Sequence, residues 1–140
     1  MADTSGEASR QAQERAKSIA DSALTDVRQA VSLAAGNLEK LPDILDRRGI
    51  GYVKENTSAE LTSRSVTAVS VQNEQNLTVT LLIRSGGQAS AGYDQVSTTV
   101  NACVDVHFAK GKPRDMSAED VKCPQWVQEV VGSSRIDVIE

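Results

Sequence analysis

The sequence predicts an α+β fold, a long N-terminal amphipathic helix packed on one face of an antiparallel sheet of about four to five strands. Three features point there. Residues 7–41 contain no proline and repeat apolar side chains at Ala12, Ala16, Ile19, Ala23, Val27, Ala30, Ala34, Leu38 and Leu41, the three-and-four spacing of one helix face. Residues 61–71 and 77–84 are rich in β-branched side chains and flank the polar loop 72–76, as a hairpin requires. From Tyr93 onward Val96, Thr98, Val100, Ala102, Val104, Val106 and Phe108 alternate with Gln95, Ser97, Thr99, Asn101, Asp105 and His107, the period of a half-buried strand.

Taken in order, residues 1–6 are small and polar and read as a flexible tail, with 7–140 a single domain. Thr4 or Ser5 is placed to cap the helix, Pro42 to end or kink it, and Gly36-Asn37 to weaken it. At about 1.5 Å per residue, residues 7–41 would extend about 52 Å. A round 140-residue domain is only roughly 35–40 Å across. The helix is therefore expected to project its N-terminal part as a stalk, to break near Gly36, or to pair with another chain. Ala8, Ala12, Ala16, Ala20 and Ala23 form a stripe that permits close helix approach.

Pro42 to Gly49 has the proline-first, glycine-last layout of a short helix, its Arg47-Arg48 end complementing the dipole. Residues 54–60 read as loop and 85–92 as a flexible connection before the long strand. Pro124 to Gly132 reads as a second short helix that turns Trp126 and Val130 inward together. The last six residues alternate as a short strand, with Ile136 and Val138 on one face.

Cys103 lies on the long strand, and the other cysteine, Cys123, follows the polar turn 110–115. Pro113 sits midway between them, so a hairpin about that turn brings them together as a disulfide. A disulfide in a small domain indicates an oxidising compartment, so the expected location is extracytoplasmic, secreted or at the cell surface, with a cytoplasmic start at Met1 the alternative.

Composition narrows the function classes. The chain of 140 residues is 39% hydrophobic, only 3% aromatic and carries a net charge of −4; its pI is near 5.0. A thin core of small side chains is expected. The acidity argues against nucleic acid as a partner, since phosphate binding needs a basic surface. No window reaches the roughly 18–20 apolar residues of a membrane span, and the N-terminus lacks the layout of a signal peptide. Membrane attachment is expected only through a segment outside this chain.

Ala102-Cys103-Val104-Asp105-Val106-His107-Phe108, a polar turn, and Asp120-Val121-Lys122-Cys123-Pro124 resemble the extracytoplasmic domains of membrane-anchored actinobacterial proteins of unassigned function. The resemblance covers about the last third of the chain and implies location rather than activity. The order of elements is similar to cystatin-like and NTF2-like folds and to the headpiece of a type IV pilin.

Cys103, Asp105 and His107 share a strand face and are the sharpest candidates for chemistry, as a nucleophile with its base or as metal ligands. Side chains two apart on a strand lie about 6.5–7 Å apart, however, and run parallel. A disulfide also removes the thiolate, so a solvated face is the expectation and no catalytic, cofactor or metal residue is assigned. Lys110, Lys112 and Arg114 are offset by Asp115, Glu119 and Asp120. Gly86-Gly87 and Gly49-Ile50-Gly51 lack phosphate-loop spacing, while Asn56 and Asn76 begin glycosylation sequons. The expected function is a non-enzymatic structural or protein-interaction module that contacts a partner, or a second copy of itself, through the N-terminal helix. A small-molecule-binding NTF2-like domain and a pilus or fibre headpiece are the alternatives.

Overall fold

A computed structural model describes residues 4–34, 37–54, 60–91, 94–109, 112–132 and 136–139. Several sequence features fall outside these residues: the first three of the tail, Gly36, the Asn56 sequon, Tyr93, Lys110-Gly111 and Arg135. The elements are α1 (Thr4–Ala34), a 3-10 turn (Leu38–Lys40), α2 (Leu41–Arg47), β1 (Gly51–Tyr52), β2 (Val66–Asn73), β3 (Leu77–Ala91), β4 (Asp94–Phe108), β5 (Met116–Val121) and α3 (Gln125–Val131). The five strands form one sheet in sequence order; β1 runs parallel to β2 and the other pairs are antiparallel. This is the predicted α+β class, with α1 on one face.

The sheet is built around the β3–β4 ribbon, whose ladder runs unbroken from Leu77↔Phe108 to Ala91↔Asp94. Residues 85–91, expected to be a flexible connection, are therefore strand. Their smallness has a packing cause. A Cβ on Gly87 would stand 2.0 Å from the Ala8 carbonyl oxygen and 2.7 Å from the Ala12 nitrogen, so the helix backbone rests directly on the strand. A glycine that reads as a loop signal is here the contact that lets helix and sheet meet.

The same contact decides the fate of the helix. Ala8, Ala12 and Ala16 are fully buried, so the N-terminal part of α1 lies on the ribbon rather than projecting as a stalk. The mismatch in length holds only for a round body. With 31 residues α1 is about 46 Å long at 1.5 Å per residue, and a 15-residue strand runs about 50 Å at 3.4 Å per residue. Helix and ribbon match because the domain is elongated. α1 also begins earlier than expected, taking in Thr4, Ser5 and Gly6, and it ends at Ala34, at the expected break near Gly36 and not at Pro42. Asn37 then caps the 3-10 turn, its side chain accepting the Glu39 N–H at 3.2 Å, and Pro42 stands in the first turn of α2, which stops before the positive-φ Gly49.

The alternation of β4 sorts its side chains between two cores. Ala102, Val104, Val106 and Phe108 join Val79, Leu81 and Ile83 of β3 under Ala20, Ala23, Val27 and Ala30 of α1. On the outer face Cys103, Leu82, Val69, Cys123, Leu61 and Val127 form a smaller cluster beneath α3. Residues expected to begin a strand at Leu61 instead lead up to it, so that Leu61 is fully buried in this second cluster while β2 starts at Val66. In α3 it is Val127 that turns inward, with Trp126 partly buried, whereas Val130 is 41% exposed. The disulfide Cys103–Cys123 joins α-carbons 5.2 Å apart. The register pairs Cys103 with Val121, leaving Cys123 just beyond the last ladder position of β5.

The C-terminal segment is not a strand over residues 136–139. Its backbone is held by individual bonds instead. Ile136 N donates to the Asn101 carbonyl at 3.0 Å, and the N–H groups of Val138 and Ile139 donate to the Asp120 carboxylate at 2.8 and 3.2 Å. A carboxylate replaces the ladder partner, and Val138 still reaches the main core.

Candidate functional site

The outer face beyond the disulfide carries a connected polar network. Because pairing sets Thr78 opposite His107, Thr80 opposite Asp105 and Glu119 opposite Asp105, three strands deliver side chains to one patch. Thr80 Oγ1 donates to Asp105 Oδ1 at 2.7 Å. His107 Nδ1 lies 3.0 Å from Thr78 Oγ1 and Nε2 lies 3.0 Å from Glu119 Oε1, the carboxylate reaching diagonally across the strand pair. Asp105 and His107 are half-buried and Glu119 is exposed.

Cys103 is not part of this patch. It is fully buried and bonded to Cys123, and the trio read from the sequence is thereby divided. Asp105 and His107 lie half-buried on the outer face, whereas Cys103 is covered by α3. Glu119, Thr78 and Thr80 replace it as partners. They were invisible in the spacing of β4 alone, because they come from the neighbouring strands. The hairpin register about the Pro113 turn is the signal that finds Glu119, since it sets β5 against β4.

One donor atom each from Asp105, His107 and Glu119 lie within 4.8 Å of one another, so these three residues could hold a divalent cation, with the threonines orienting two of the ligands. The connected hydroxyl, imidazole and carboxylate could equally relay a proton between Thr78 and Glu119. Both are capacities of the geometry. As an ion pair alone, His107 and Glu119 contribute at most about 1 kcal/mol, and only when the imidazole is protonated.

A second feature is the groove of about 800 Å³ between the C-terminal end of α1 and α2. Leu33, 62% exposed, and Ile44 supply its apolar surface, while Lys40, Arg47 and Arg48 supply cations and Asp43 one carboxylate. Arg48 is engaged by Asp26 at 3.5 Å and by the Gln29 side chain. Lys40 and Arg47 have no acidic partner among the described residues. Of the turn cations, Lys112 and Arg114 are exposed, whereas Asp120 is drawn away to anchor the C-terminal segment.

Comparison with family models, curated proteins and solved structures finds no match to this chain.

Proposed function

We propose that the chain is a non-enzymatic protein-interaction module of an extracytoplasmic compartment, and that it docks an acidic protein segment in the groove between α1 and α2. The observation that carries this reading is Leu33. It is a large apolar side chain left 62% exposed beside Ile44 and flanked by Lys40 and Arg47. Apolar anchors ringed by like charges suit a partner with the opposite charge. The groove is locally basic in a chain whose net charge is −4. The disulfide supports the compartment, since such bonds persist where thiols are not kept reduced.

The partner surface of the helix lies at its end for a physical reason. The alanine stripe that makes self-association or fibre assembly attractive is buried against the chain's own sheet from Ala8 to Ala23. A small-molecule cavity between helix and sheet, as an NTF2-like domain would use, meets the same filling: the backbone of α1 touches Gly87.

A fluorescent amphipathic peptide of leucine and glutamate tests the docking, with a leucine and lysine peptide as its counterpart. The acidic peptide should bind saturably. Leu33→Asp combined with Arg47→Glu should weaken it by about tenfold or more, or about 1.4 kcal/mol. Equal binding of both peptides, or an unaffected variant, would remove the reading. Intact mass after alkylation, on protein exported to an oxidising compartment, checks the location. Two alkylated thiols there would withdraw its support.

A further inference from the structure

Where β2 leaves the edge of β3 the outer face has a notch. Val66↔Ile83 is the first pair of that ladder, and one further bond, Arg84 N to the Ser65 carbonyl at 2.8 Å, closes it. Beyond this point β3 continues with β4 alone. The space left is about 260 Å³, walled by residues 62–65 on one side and by Arg84 and Thr99 on the other.

Its lining is one-sided in chemistry. Arg84 brings a guanidinium group, Arg64 a side chain that runs over Gly51 to Asp46, and hydroxyls line both walls; no carboxylate of the described residues lines it. Arg84 donates Nε to Asn101 Oδ1 at 3.0 Å, which fixes the plane of the group. Its terminal nitrogens have no partner among the described residues and form the fork that binds an oxyanion through two parallel bonds. Arg64 is partly neutralised by Asp46, so Arg84 is the principal cation. A third arginine, Arg15 of α1, donates to the Gly86 carbonyl at 3.1 Å and adds positive charge at the rim.

Ser85, buried with 5% exposure, alternates to the same face as Ile83 and Gly87, so its unpartnered hydroxyl turns to the helix face of β3 and not into the notch. The floor is Gly86. Since its neighbour Gly87 faces the helix, Gly86 faces outward, and a Cβ added there would meet only the Thr98 carbonyl oxygen at 3.7 Å. The strand therefore admits a side chain at Gly86 that would occupy the notch.

We propose that the notch between Arg64, Arg84 and Gly86 binds a phosphate or sulfate group. The group is either a free ion or the terminus of an ester, because the space exceeds what a five-atom oxyanion fills. This site is separate from the docking groove, and neither reading depends on the other.

Amide and arginine Nε chemical shifts, followed through titrations with sodium phosphate, sodium sulfate and phenyl phosphate at constant ionic strength, test it. Saturable shifts confined to Ser85, Gly86, Thr99 and Arg84 are expected. Gly86→Leu should weaken binding by about tenfold or more while leaving the melting temperature nearly unchanged. Arg84→Lys, which keeps the charge and removes the fork, should also weaken it, and it decides the matter if Gly86→Leu does not fold. Tighter binding of phenyl phosphate than of the inorganic ions identifies an ester, and equal binding a free ion. Shifts that rise linearly and spread over the surface, or full affinity in Arg84→Lys or in folded Gly86→Leu, would overturn the proposal.

Discussion

The two faces of the sheet are held by different means. The inner face is closed by a helix that matches the ribbon in length and approaches it on alanine and glycine, so its cohesion is spread over many small contacts. The outer face has a short helix, a small apolar cluster and one covalent bond. This contrast explains how a chain with 3% aromatic residues remains a domain. A thin core suffices where an element lies flat along the whole sheet, and a staple is needed where it does not.

The comparison can be broken most severely on the inner face. Phe108 is fully buried at the end of the ladder, opposite Leu77 and Met116. Phe108→Ala should cost about 3–5 kcal/mol in urea unfolding. A loss no larger than that of an exposed site would show that the inner core is not the main source of stability. On the outer face, replacing both cysteines by alanine should cost about 3 kcal/mol in the loop-entropy model. The denaturant slope should also rise, because the unfolded chain is no longer cross-linked. A melting temperature within a degree or two of the parent would make the bond structurally idle.

Two adjacent glycines sharpen the contrast at a single point. Gly87→Ala places a Cβ against the backbone of Ala8 and should cost about 1–3 kcal/mol. Hydrogen exchange should quicken in the first turns of α1. Gly86→Ala, on the other face of the same strand, should change stability by no more than about 0.5 kcal/mol. Similar effects from both would mean that the helix does not rest on Gly87. A small change is also expected at the polar patch. His107→Ala should alter stability by less than about 1 kcal/mol, since the group is half-exposed and its partner Glu119 is exposed.

Much of this was legible in the residues. The three-and-four spacing of α1 identified its buried face, including Ala16, Ala23, Val27 and Ala30. The period of two in β4 likewise separated Ala102, Val104 and Val106 from Asp105 and His107, and the turn about Pro113 put the cysteines within reach of each other. Residues 85–91 were misread because glycine, serine and alanine carry the same local signal in a loop and beneath a close-packed helix. Trp126 was preferred over Val127 as an inward residue because helical spacing gives a face but not its direction. The polar patch was read with Cys103 when its partners are Thr78 and Glu119, since strand spacing says nothing of the side chains that pairing brings from either side.

The residues alone settled the α+β class, the inward face of the long helix and strand, and the cysteine pair, because these follow from periodicity and turn chemistry within short stretches of chain. Tertiary structure alone decided that the helix lies along its own sheet, that Arg64, Arg84 and Gly86 border one notch, and that Leu33 remains exposed beside Lys40 and Arg47. Those outcomes depend on which distant residues share space, and local patterning carries no information about that.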